Sequence, residues 1–268
     1  MPPFTNPKHV LTPAILETLE KLTGIKDRDA WTNIFFLLSK SEHDNERIEN
    51  TFETDKGDSV FFFAKRLPYD GEQRGVTVGF AGYTTANDGN DKYGDFHKLA
   101  IRYKKLGGVD LRKLAKGLTK DKDKADEFCQ KIRSLHGEFA EKFVQAQFED
   151  LCHKGGYIYE AANALKGAGI ENPSPLALAA VIDTLINQGI GGKWCAVDWL
   201  KTHAAHGDER KTLKEFLEWK KVAATKNEHN DPPSNGEKRA QMFIDLLHED
   251  GKLLPTSLCE KVVKWQMK

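Results

Sequence analysis

No apolar run in the sequence approaches the roughly 20 residues that a bilayer-spanning helix requires, so no membrane helix and no membrane partner are expected. Cysteine is scarce. Cys129, Cys152, Cys195 and Cys259 are widely spaced and contain no C-x-x-C metal pattern. One or two disulfides and buried free thiols both fit them. Charge of one sign is missing too: 40 basic residues stand against 40 acidic ones, which argues against a nucleic-acid binder that relies on bulk positive charge. There is no N-x-S/T site with a permitted middle residue, no G-x-S-x-G and no Walker sequence. The glycines between 75 and 82 do not open a helix, as a dinucleotide motif would require. His203 and His206 in the run HAAH lack a third ligand, so neither a metal nor a cofactor is expected. Met1–Val10 lacks the charged-then-apolar pattern of a signal peptide. Both a secreted protein whose leader has been removed and a cytoplasmic protein are compatible with that start.

The 268 residues are 39% hydrophobic, sufficient for one sizeable domain or two modest lobes. Most of the chain reads as helix. Thr12-Pro13 is a cap and first-turn pair with Gly24 as the stop, and 29–41 carries Trp31, Ile34, Phe35, Leu37 and Leu38 on an apolar face. The polar, acidic stretch 42–58 reads as a helix end and an exposed loop. Ser59–Ala64 and Gly75–Tyr83 are rich in β-branched and aromatic residues and read as two short strands, with a turn at Pro68–Gly71 between them. Further helices are expected over 95–106, 110–117, 123–153, 157–166, 174–188, 194–204, 209–225, 235–248 and 256–265. This pattern predicts an α+β, mostly α protein. A lobe over 25–107 would hold a small antiparallel sheet, 108–268 would form a helical lobe, and a cleft would lie between them.

Four places could carry chemistry. Glu42 closes the apolar helix, where aromatic neighbours could dry one side of its carboxyl and keep it protonated; a solvated helix-end glutamate is the alternative. The segment Asp70-Gly71-Glu72-Gln73-Arg74-Gly75-Val76-Thr77 could present an ionised carboxylate and a hydroxyl to a substrate, or be a charged hairpin turn. Asp95 begins a helix, as a plain cap or as a group that also binds a cation. Asp183 is the only charged residue in Pro175–Gln188, so it should be buried with a partner, for which Arg239 and Lys220 are candidates. Trp31, Tyr69, Tyr83 and Tyr93 could stack on sugars.

The order of these pieces resembles the family 46 chitosanases, which share a two-lobed, lysozyme-like fold with phage lysozymes and the family 80 chitosanases. The family's apolar helix ends in a catalytic Glu; here it ends Leu38-Ser39-Lys40-Ser41-Glu42. Its acid before Arg-Gly and a glycine-bearing strand is matched by Glu72-Gln73-Arg74-Gly75-Val76-Thr77-Val78-Gly79-Phe80. Its Gly-Asp at a helix start is matched by Gly94-Asp95, and its Phe-x-x-Ala-Gln by Phe143 through Gln147. Its buried Asp, which joins arginines that support the catalytic Glu, is matched by Asp183, with Arg239 as one arginine and Lys220 standing where the other would be. Lys in place of Arg loses the planar fork. The base position holds Glu72 where family 46 has Asp, although Glu fits the family 80 pattern, and Asp70 lies close enough to serve instead.

The resemblance implies a secreted, monomeric endo-hydrolase acting on chitosan by inversion. Glu42 would protonate the glycosidic oxygen, and Glu72 would deprotonate a water held with help from Thr77. The two carboxyls would lie about 6.5–9.5 Å apart or more. Arg74 would steady the loop, while Asp95, Asp70 and Tyr83 would line the substrate site. The acidic stretch 42–58 would attract the substrate's ammonium groups, less strongly at high salt. The alternatives are a lysozyme-like hydrolase of peptidoglycan or another amino-sugar polymer, and a carbohydrate-binding protein without the chemistry.

Overall fold

The computed structural model describes residues 4, 6–43, 59–66, 75–85, 95–190, 195–203, 207–225 and 235–250. The chain groups into two compact units. The first takes 1–10, 42–47 and 51–151, and the second takes 11–41, 48–50 and 152–268. In this grouping the helices that follow the sheet, up to 151, join the sheet's unit.

In the first unit, a single helical turn Val60–Phe62 leads into β1 (Ala64–Arg66), followed by β2 (Val76–Val78) and β3 (Tyr83–Thr84) in the antiparallel order β1-β2-β3. Two strands were expected and three form. Gly79 and Gly82 both take positive φ, so the second segment turns back on itself within 79–82. The VFFF run is a 3-10 turn instead of a strand. Ser59 caps it through the Phe61 amide, and Val60, Phe61 and Phe62 are all buried.

The helices packed with this sheet are α4 (Phe96–Lys105), α5 (Leu111–Leu114), α6 (Lys122–Arg133) and α7 (Gly137–Cys152), preceded in the chain by the short α1 (Pro7–Val10). The single helix expected over 123–153 is two, broken at 134–136, with Gly137 at φ 55. The edge strand β1 is covered by α6, from which the Arg133 guanidinium donates to the Ala64 carbonyl and Arg66 pairs with Asp126. Aromatic rings fill the core: Phe61 lies 5.5 Å from Phe80 and 5.7 Å from Phe148, and Tyr103 meets Phe143 edge-on at 5.2 Å.

Gln147 fastens this arrangement. Fully buried on α7, it accepts from the Phe80 amide at 2.9 Å and donates to the Phe61 carbonyl at 2.9 Å, so one side chain ties the helix to the 3-10 turn and the β2–β3 turn. The turn must approach closely for this to work. A Cβ on Gly79 would lie 2.5 Å from Gln147 Oε1, at a backbone φ of +73. Gly79→Ala is therefore expected to lower stability by about 2 kcal/mol or more, measured by urea unfolding.

The second unit contains α2 (Pro13–Thr23), most of α3 (Arg28–His43), α8 (Tyr157–Gly167), α9 (Pro175–Gln188), α10 (Ala196–His203), α11 (Glu209–Thr225) and α12 (Asn235–Asp250). Thr12 caps α2 as expected. At its centre is α9, buried without interruption from Leu176 to Leu185, as befits a helix that is apolar on all sides. Ser174 caps it, and α8, α10, α11 and α12 pack against it. The helix expected over 256–265 lies outside the described residues.

Candidate functional site

The backbone of Glu42 lies in the last turn of α3, which runs two residues past the expected end at 41. Ser41 is the last residue of a segment grouped with the second unit, and Glu42 is the first of a segment grouped with the first. Its side chain, and the whole of Asp70, Glu72, Arg74, Tyr69 and Tyr93, lie outside the described residues.

Thr77 is central in β2, paired with Lys65 on one side and Thr84 on the other. Val76 and Val78 point into the core and are fully buried, so the pleat turns the half-buried Thr77 to the opposite face. A hydroxyl in that position can reach a water.

Asp95 immediately precedes α4, but it does not cap it. The expected cap bond is absent; Oδ1 instead accepts the Thr84 amide at 2.8 Å, linking β3 to the helix start. Burial pushes the Asp95 carboxyl above the usual value of 3.8, helped by the nearby Asp150 charge, while the Thr84 amide and Lys98 act in the opposite direction. The folded state thus holds this proton more tightly than the unfolded chain does. Its contribution to stability is complete below pH 3.8 and falls as pH rises through the raised folded value. In Asp95→Asn that slope is expected to vanish, with stability at neutral pH equal to or above the parent's. Urea unfolding across a pH series checks this by the difference between the two proteins.

Two expected sugar platforms are core residues. Tyr83 is 1% exposed and Trp31 is fully buried, its indole N–H donating to the Ile25 carbonyl at 2.9 Å. Neither ring has an open face on which a sugar could stack, so the substrate-binding role expected of Tyr83 is withdrawn.

In the second unit, Asp183 has the partners expected of it. Its carboxylate accepts from Lys220 Nζ at 2.6 Å and from Arg239 Nη2 at 2.8 Å and Nε at 3.1 Å. Asp183 and Lys220 are fully buried, and Arg239 is 8% exposed. Burial alone would raise the Asp183 pKa. The Arg239 and Lys220 charges, with their hydrogen bonds, overcome that and hold it well below the usual carboxylate range. Arg239 supplies the two-pronged contact and Lys220 a single point charge. The ammonium of Lys220 also lies 5.8 Å from the centre of the Phe243 ring.

Cys129, Cys152 and Cys195 are free thiols in the structure, and Cys259 lies outside the described residues. Burial pushes the Cys152 thiol up to about 12, so it is unreactive near neutrality. His203 stacks on Trp199 with ring centres 5.2 Å apart. Among the described residues no three His, Cys, Asp or Glu side chains gather as a metal site.

Sequence reasoning noted Gln147 only as part of a motif and missed its role as a clamp. The signal was present: Phe143, Gln147 and Leu151 form one stripe at helical spacing, and a polar residue in such a stripe must find buried partners.

No family model matches the sequence, and no curated protein matches it. Among solved structures, the chain is similar to a GH46 chitosanase of Gynuella sunshinyii, determined in complex with chitotetraose. The two are 19% identical, the match covers 84% of this chain and 91% of the other, and the TM-score is 0.53. The likeness is one of fold. The α+β, mostly helical architecture with a small antiparallel sheet is shared with that enzyme.

Proposed function

We propose that this protein is a glycoside hydrolase that cleaves β-1,4-glucosamine links in chitosan with inversion, acting as a secreted monomer. The observation that carries the proposal is a coincidence of two independent likenesses. The motif order around Glu42, Glu72 and Asp95 resembles the family 46 chitosanases, and the fold is that of a GH46 chitosanase.

In this reading Glu42 donates a proton to the glycosidic oxygen, and the departing sugar leaves as the alcohol. Glu72, or Asp70 in its place, takes a proton from a water that Thr77 helps to hold, and that water attacks the anomeric carbon from the other face. Arg74 steadies the base through a charge-assisted bond. Asp95 binds a substrate ammonium, an interaction that would offset the cost of ionising its half-buried carboxyl. The cluster of Asp183, Lys220 and Arg239 matches the one that supports the catalytic Glu in the family resembled, and it would take that supporting role here.

Proton NMR of the first products from chitosan oligomers tests this, alongside reducing-end release from chitin and peptidoglycan. Inversion at a β-link yields the α-anomer first. The β-anomer first would exclude the single-displacement mechanism. Release from peptidoglycan alone would reassign the substrate, and binding without any product would leave a carbohydrate-binding protein.

A further inference from the structure

The whole chain is neutral, but its charge is unevenly spread. Residues 104–133 hold ten basic side chains and five acidic ones. Part of this excess gathers around a groove of about 700 Å³ between α5 with the turn after it and α6. Its charged lining is Lys113, Lys116, Lys124 and Lys131 against the single Glu127. Its apolar lining is Leu114, which is 46% exposed, with Phe128 beneath at 3%.

Several neighbouring cations are engaged. Lys104 and Arg112 both bond Asp110 and hold its carboxyl down at about 2. Arg102 pairs with Asp150, and Arg133 donates to the Ala64 carbonyl. In the groove, Lys124 lies 3.7 Å from Asp121, but among the described residues Lys113, Lys116 and Lys131 have no ion-pair partner. Uncompensated ammonium groups around an exposed leucine are a site for a ligand that is both anionic and apolar.

We propose that this groove docks an acidic segment of a partner protein, with an aliphatic side chain of the partner seated on Leu114 and its carboxylates on Lys113, Lys116 and Lys131. Charge complementarity selects this occupant. A cationic polysaccharide would be repelled by these lysines, and the assignment uses only the groove's own residues, so it does not depend on the function proposed above. Nucleic acid fits poorly. All the groove's cations are lysines without the guanidinium fork suited to phosphate, and Phe128 is too deeply buried to stack on a base.

Fluorescence anisotropy of the full-length protein with a labelled decapeptide of Asp, Glu and Leu tests the assignment. The expected result is saturable binding, weakened at least about tenfold when NaCl rises from about 50 to about 500 mM. Lys113→Glu/Lys116→Glu/Lys131→Glu should weaken it at least as much, and Leu114→Ser should weaken it several-fold at constant charge. Lys113→Gln/Lys116→Gln/Lys131→Gln provides a milder version, and thermal unfolding verifies that each variant folds. As a control of comparable type, Lys211→Glu/Lys214→Glu on α11 should leave binding unchanged. No saturable binding, equal loss in the control, or no effect of Leu114→Ser would overturn the proposal. So would tighter binding of a heparin oligosaccharide or a DNA oligonucleotide than of the peptide.

Discussion

Asp183→Asn is expected to lower the stability of the protein by about 3–5 kcal/mol, because it removes an anionic partner that two buried cations share. For a chain of this size that is a fall in melting temperature of about 10 °C or more. The loss arises from desolvation. In the parent, the Asp183 carboxylate lies 2.6 Å from the Lys220 ammonium and 2.8 Å from the Arg239 guanidinium. Asparagine has nearly the same shape, so packing is kept while the charge is not. Lys220→Met should cost less, since it leaves the Asp183–Arg239 pair intact and puts an apolar chain into an apolar site.

The pH dependence supplies an independent check. The folded-state pKa of Asp183 lies below the ordinary 3.8, so the folded protein binds this proton less readily than the unfolded chain. The stabilisation is complete above the unfolded value and is lost as pH falls below it toward the folded value. Calorimetric melting across acid pH should therefore show a steep fall in the parent that is shallower in Asp183→Asn. Equal stability of the two proteins at neutral pH would show that the cluster does not hold the helices together.

Glu42→Gln is expected to reduce turnover of chitosan oligomers by about 10²–10⁴-fold or more while leaving melting temperature and KM nearly unchanged. The amide keeps the size of the side chain and has no proton acidic enough to give to a leaving alkoxide. Reducing-end assays on purified protein measure the effect; activity near that of the parent would remove Glu42 from the mechanism. Glu72→Gln and Asp70→Asn, compared in the same assay, decide which carboxylate takes the proton from water. A fall confined to Asp70→Asn would move the base by two positions along the loop.

The helices were legible because their signals are local. Thr12-Pro13, Ser174-Pro175 and the glycines after the helical runs are cap and stop chemistry, and apolar periodicity does the rest. The region 123–153 misled because its apolar spacing continues across a break that a cap at 134 and Gly137 impose. Around the sheet, composition was informative and geometry was not. VFFF has strand propensity, yet all of its first three residues are buried by α7 and the hairpin, and a helical turn is how a chain buries neighbours on both sides. Tyr83 could be a sugar platform as well as a core residue until the strand pairs; its position in β3 turns the ring inward.

By itself, then, the sequence determined the mostly helical class, the small sheet, the burial of Asp183 with Arg239 and Lys220, and an order of acids that resembles one hydrolase family. Only the tertiary structure decided that Gln147 clamps the hairpin, that Asp95 holds Thr84 instead of capping α4, that Tyr83 and Trp31 are closed to sugars, and that four lysines line a groove beside Leu114. The division has a physical cause. Backbone preference and the need to pair a buried charge act over a few residues or on one helix. Exposure, close approach and the choice of hydrogen-bond partner depend on which distant elements meet.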